Sequence, residues 1–342
     1  MTHYVGLDVS LEETSICVID EDGQRVWQGK TSSEPAAIAK KVKLHAPELI
    51  KVGFESGPLS TWHWHELRGL GFPVVCLDAR QAKAALSLQV NKTDANDAHG
   101  LAQIVRTGWY RKVEVKSIEA HLVRSLLTSR SKLVEVRTML SNQLRGILKT
   151  FGLIVGKTSG GAFEKRVREL TKGHIGLESI MESLLSVWHC TCEQIQVLDR
   201  QILAHARADE VCRRLMTAPG IGPVTALAYR AVIDDPSRFK KSSSVGAYLG
   251  LTPRRYQSGE VDRSGRISKC GDGLMRSYLY EAATVILSRM RKWSSLKAWG
   301  ARLARRVGAK KARVAIARKL AVILHRMWID QTDFRWSASQ EA

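Results

Sequence analysis

The sequence predicts an α/β protein in which a mixed-sheet domain is followed by long helices. Three features point there: β-rich runs near the N-terminus give way to alternating helix and strand, an apolar repeat of seven begins near His121, and the last third carries a helical stretch without acids. The domain organisation expected from these shifts is a sheet domain over 1–115, a helical hairpin arm over 116–208 and a mostly helical C-terminal domain over 209–342.

Residues 3–9 (HYVGLDV), 14–20 (TSICVID) and 25–30 read as three strands. Glu21, Asp22 and Gly23 supply the turn between the second and third, since Asp-Gly accepts the positive φ that tight hairpins need. A helix over 34–45, a strand at IKVGFES, a helix over 62–70 and a strand at PVVCLD follow. Three antiparallel strands and then alternation describe a mixed sheet.

From His121 the pattern is a long helix with Leu126, Leu133, Leu140 and Ile147 at sevens, the spacing of a coiled-coil seam. GKTSGGAFEK interrupts it. A second helix carries Leu177, Ile180, Leu184, Ile195, Leu198 and Ile202, so two antiparallel arms are expected, either projecting for dimerisation or folded onto a domain. The run TAPGIGPVTALAYRAVI then places Gly220 and Gly222 in a tight turn before an apolar helix. That is the shape of a helix-hairpin-helix element that receives a phosphate on free N–H groups, and also of a plain helix cap.

The chain has 342 residues, 44% of them hydrophobic, with 53 Lys+Arg against 33 Asp+Glu for a formal charge of +20. That excess points to a polyanionic partner, nucleic acid ahead of an anionic membrane surface. No acid interrupts the segment between Glu281 and Asp330, while cations accumulate from Arg289 to Arg326; a solvated helix face ordinarily mixes signs. No apolar run is long enough to span a bilayer and MTHYVGLDVS lacks signal-peptide character, so a cytoplasmic protein is expected. Six scattered cysteines read as reduced thiols, and His189, Cys190 and Cys192 lack the second pair of a structural zinc site.

Four acids stand where chemistry is plausible for a sheet protein. Asp8 closes the first strand, Glu55 closes a later one, and Asp94 and Asp97 open a helix in NKTDANDAHGLA at a spacing that shares one face. Carboxylates from two strand ends and one helix suit hard divalent cations such as Mg²⁺. The competing reading is structural: strand-end turns for Asp8 and Glu55, an N-cap for Asp94.

Residues 252–271, TPRRYQSGEVDRSGRISKCG, read as a basic loop that holds five cations, three serines and one tyrosine. Arg254, Arg255, Arg263, Arg266 and Lys269 suit a phosphate, and Lys92 adds a cation beside the acidic block. A hydroxyl here either hydrogen-bonds phosphate or attacks it. Chemistry alone leaves Tyr256 and Ser258 both open as nucleophiles. No histidine in the segment serves as a base, which favours metal assistance over a Ser-His pair.

GLDVS, FESGP, NKTDANDAHGLA, PGIGPVTA and GLTPRRYQSG with its following SKCG occur together and in order. In this combination the chain resembles the DEDD-type insertion-sequence transposases, the group that includes bridge-RNA-guided recombinases and pilin-gene invertases, over nearly its whole length. The resemblance implies a ribonuclease-H-like (RuvC-like) N-terminal domain, a coiled-coil insertion and a C-terminal transposase domain. It further implies that Asp8, Glu55, Asp94 and Asp97 bind Mg²⁺, that Ser258 is the nucleophile forming a covalent phosphoserine-DNA intermediate, and that a structured guide RNA and a homo-oligomer are involved. The alternatives are a metal-dependent junction-resolving nuclease without a covalent intermediate and a non-catalytic nucleic-acid-binding protein. A sugar-kinase-like ATPase, suggested by GLDVS, lacks the further glycine-rich phosphate loops.

Overall fold

The computed structural model describes residues 1–88 and 91–336, which divide into two compact units, the second beginning at Ser117.

The first unit is built on strands β1 (His3–Val9), β2 (Glu13–Ile19) and β3 (Arg25–Ser32), then helix α1 (Pro35–His45), β4 (Leu49–Glu55), α2 (Ser60–Gly69), β5 (Val74–Leu77), α3 (Ala79–Leu86) and α4 (Asp94–Thr107). The sheet order is β3-β2-β1-β4-β5, antiparallel across β1, β2 and β3 and parallel across β1, β4 and β5. This is the mixed sheet expected from the alternation of elements. Strand alternation sorts its faces. Val5, Leu7, Ile16, Val18, Val52 and Phe54 pack on one side with Ile38 and Val42 of α1 and Leu67 of α2. The other side receives α4, through Ala98 and Ala102 against Cys17 and Ile19.

Two glycines allow that second packing. A Cβ on Gly6 would sit 2.2 Å from the carbonyl of Ala98 and 2.3 Å from the nitrogen of Ala102, and one on Gly53 would sit 2.3 Å from Val105. Gly6 and Gly53 are register partners across β1 and β4, so the helix rests on a floor cleared on adjacent strands.

The second unit opens with α5 (Ile118–Thr150), α6 (Gly161–Thr171) and α7 (Leu177–Ala208). It continues with α8 (Glu210–Leu215), α9 (Pro223–Ile233), α10 (Ser244–Tyr248), strands β6 (Pro253–Ser258) and β7 (Val261–Ile267), α11 (Gly273–Ser288), α12 (Ser295–Val307) and α13 (Ala309–Ile329). Helices α5 and α7 form a hairpin. Its far end has its own core, where Leu144, Leu148, Phe163, Met181 and Trp188 are buried and the Trp188 indole donates to Ser141 Oγ at 2.8 Å. Leu140 and Ile147 of the heptad repeat lie half-buried against that core, so helices of the same chain occupy the seam. At the near end Leu127 and Ile202 join the main core of the unit, built from α9, α11 and α13. Alanines at 226, 228, 282, 283, 317 and 321 are buried there, which lets these helices approach closely, and the buried Tyr229 hydroxyl donates to the Ala321 carbonyl at 2.7 Å.

Candidate active site

Asp8 and Glu55 stand two residues beyond Gly6 and Gly53 on neighbouring parallel strands. With a side-chain period of two, both project to the face that α4 covers. Helix α4 begins there: Thr93 is its N-cap, accepting from the Asn96 amide at 3.2 Å, and Asp94 and Asp97 lie in the first turn. Asp94 is therefore the first helical residue rather than the cap. Both acids gain from the exposed N–H groups at the helix start.

The other three carboxylates act on Asp8. Burial first, and then the charges of Asp97, Asp94 and Glu55, push the Asp8 carboxyl up to about 6, with Lys92 acting the other way. Glu55 is likewise raised, by burial and then by Asp97, against the pull of Lys92 and Lys83. Asp94 is held below the ordinary carboxylate range by the hydrogen bond and charge of Lys30, whose Nζ lies 2.8 Å from its Oδ2. Lys30 comes from β3 in the cross-strand row Asp8, Ser15, Lys30, and is 4.0 Å from Glu13 as well. The sequence reading did not include Lys30 or Glu13. Only the register brings them to the acids, and the available signal is the strand alternation that puts Glu13, Ser15 and Lys30 on the face of Asp8.

Carboxylates whose burial and mutual repulsion raise the proton affinities of Asp8 and Glu55 suit a divalent cation in charge and in donor chemistry. In geometry the set is open. Among the described residues no three His, Cys, Asp or Glu side chains are drawn close enough to hold an ion. Asp94 is directed to Lys30 instead.

The segment expected as a basic loop is a two-stranded hairpin, β6 paired antiparallel with β7. Ser258 is the last residue of β6, opposite Val261, and Gly259 turns the chain at φ +55°. A Cβ on Gly259 would meet nothing within 4 Å, so this glycine serves its positive φ and not close clearance. Alternation separates the cations. Tyr256, paired with Arg263, lies on the face of Ser258, as does Arg254, whose guanidinium donates to the Ser268 carbonyl at 3.2 Å. Arg255 lies on the other face, held by Asp262 through two bonds of 2.8 and 2.7 Å. Arg266 is exposed near the end of β7, and Lys269 follows it with φ +56° and its amide bonded to the Gly250 carbonyl.

The PGIG turn joins α8 to α9. A Cβ on Gly220 would lie 2.7 Å from the Ala282 carbonyl, so close packing on α11 and a φ of +74° account for this glycine. Gly222 is the N-cap of α9, ahead of Pro223.

Both halves of the chain match known transposases. Residues 5–152 match a DEDD-type family described as a transposase, and residues 212–298 match the transposase IS116/IS110/IS902 family. A probable family 20 transposase of Pseudomonas aeruginosa is 33% identical over 283 residues, covering 81% of this chain and 83% of the relative. The chain belongs to the IS110 family of insertion-sequence transposases. The transposase for insertion sequence element IS1111A of Coxiella burnetii is 28% identical to it over 98% of this chain and 92% of its own length. The transposase for IS1328 of Yersinia enterocolitica is 30% identical over 68% and 70%. This transposase is thus a DNA-acting enzyme, and among its described residues no helix is long and apolar enough to cross a membrane.

Proposed function

We propose that this transposase cuts and rejoins DNA through Ser258, with Asp8, Glu55, Asp94 and Asp97 as the acidic half of the site. The observation that supports the reading is the acid face: two glycine-cleared strands and one helix start carry Asp8, Glu55, Asp94 and Asp97 on one side of the sheet, where burial first, and then the charges of the other three, raise Asp8 to about 6. Mutually repelling acids on a half-buried face carry a cost that Lys30 and Lys92 offset only in part and that a bound divalent cation would relieve.

These four residues would hold Mg²⁺, which supplies charge neutralisation at phosphate oxygens when bound. Ser258 Oγ forms a bond to phosphorus as the bond from phosphorus to one deoxyribose oxygen breaks, and the serine proton ends on the departing sugar hydroxyl. The phosphoserine ester conserves the phosphodiester energy, so rejoining needs no ATP. Arg254 and Arg263, on the serine's face, stabilise the charge that develops on the phosphate. Arg255, Tyr256, Arg266, Lys269, Lys92 and the amides at Gly220 and Gly222 position the backbone. A ribonuclease-H-like N-terminal domain, a coiled-coil arm, a homo-oligomer in which one subunit's acids serve another's serine, and a structured guide RNA complete the reading; family resemblance supports these, and the charge of +20 accommodates both nucleic acids.

The test is a cleavage assay of the full chain on DNA carrying the element ends, with Mg²⁺, with and without RNA that copurifies. Protein-linked DNA on denaturing gels is expected, lost in Ser258→Ala while DNA binding persists. Cleaved ends with free phosphate and no attached protein would replace the serine by activated water. Full activity without RNA would remove the guide and leave the serine chemistry standing.

A further inference from the structure

A cavity of about 440 Å³ opens at the base of the β6–β7 hairpin, against α12 and α13. Its floor is aliphatic, with Leu251, Val314 and Val322, and the Trp299 indole forms a wall. Pro253 and Ile267, the paired residues that start β6 and end β7, line it too. Its polar residues are all cations: Lys311, Arg318 and Lys319 are exposed at the rim, and no acid lines it among the described residues. Lys319 Nζ sits over the Trp299 ring, 4.5 Å from its centre, which puts a positive charge on one face of the indole.

We propose that this groove takes an unpaired nucleobase, with its phosphates on the cationic rim. An aromatic wall over an aliphatic floor suits the flat face of a base, and three cations with no acid suit the backbone that carries it; a duplex offers no free base face to such a recess. The volume lies in the range of small-ligand pockets. A neutral or basic protein segment would find no counter-charge here, in a stretch that runs from Glu281 to Asp330 without an acid. Ser258 lies on the strand that Pro253 begins, roughly 17 Å along it at the usual strand rise. A strand seated in the groove is therefore led along the hairpin that bears the serine. The proposal rests on the reading of the hairpin as DNA-facing only for that last consequence.

The experiment measures binding of the full chain to a fluorescent oligothymidylate, an oligouridylate of equal length and a duplex, across a range of salt. Trp299→Leu is expected to weaken both single strands by about tenfold while leaving the duplex nearly unchanged. Lys311→Gln with Arg318→Gln is expected to flatten the single-strand salt dependence by about 1.4 in logarithmic slope. Equal losses for single strand and duplex, or none, would overturn the proposal. Should Trp299→Leu fail to fold by circular dichroism, the double variant decides alone, and an unchanged slope overturns it. A preference for one oligonucleotide assigns the groove to DNA or to RNA, and either supports it. Ser258→Ala serves as the reference: unaltered single-strand binding there, with no covalent adduct in the wild type, would sink the serine chemistry and leave the groove intact.

Discussion

The acid face and the serine hairpin are held in opposite ways. Asp8, Glu55, Asp94 and Asp97 are placed by elements with buried interiors: β1 and β4 are central strands, and α4 lies on them through buried Ala98 and Ala102. The hairpin has no such support. All six residues of β6 are exposed, as are six of the seven in β7, and the strands pair only with each other. A two-stranded ribbon on its own is marginal in water. One half of the proposed site is set by packing, and the other is an exposed ribbon that carries Arg254, Tyr256, Ser258 and Arg263 on one face.

That contrast is open to attack from both sides. The largest effect belongs to Asp8→Asn, expected to lower strand cleavage by about a hundredfold or more with DNA binding retained, read by single-turnover kinetics. Unchanged rates would move the chemistry away from the acid face. Next comes Gly6→Ala, which drives a methyl into the backbone of α4; a loss of about 1–3 kcal/mol is expected from denaturant midpoints, together with loss of cleavage.

The pH dependence is smaller and has a definite sign. The folded Asp8 is raised to about 6 from an ordinary 3.8, so its contribution to stability is fully present below about pH 4 and is lost as the pH rises through about 6. Asp8→Asn should therefore gain stability over the wild type between those limits and keep that gain above them, in thermal melts without divalent ions, and added Mg²⁺ should narrow the difference. Because the proposed ligand form is the carboxylate, cleavage should rise through the same window. The smallest effect is Ser258→Ala on stability, expected within about 0.5 kcal/mol because an exposed hairpin end makes few contacts to lose. A large loss there would contradict the hairpin's independence.

The sheet was legible because its strands carry the expected apolar alternation, and Asp-Gly marked the turn before β3. The positions of Asp8 and Glu55 were legible as strand ends. What joins them was not: the shared V-G-x-acid pattern of VGLD and VGFE means a cleared floor only once α4 is known to lie on Gly6 and Gly53. Lys30 was missed because its partner Asp94 is 64 residues away and strand register alone brings them together. The hairpin read as a loop because an exposed ribbon has no buried face to impose a period on its sequence. The heptad repeat left open a projecting arm and a folded hairpin, because the same periodicity suits a seam for a partner and a helix packed on its own neighbour; Leu140 and Ile147 lie against α6 and α7 of the same chain.

The most direct test of the central claim is to trap the protein–DNA adduct, digest both components and locate the nucleotide remnant by mass spectrometry. The account predicts a phosphoester on Ser258. A remnant on Tyr256, or protein-free cleaved ends under conditions that trap an adduct in control recombinases, would contradict it.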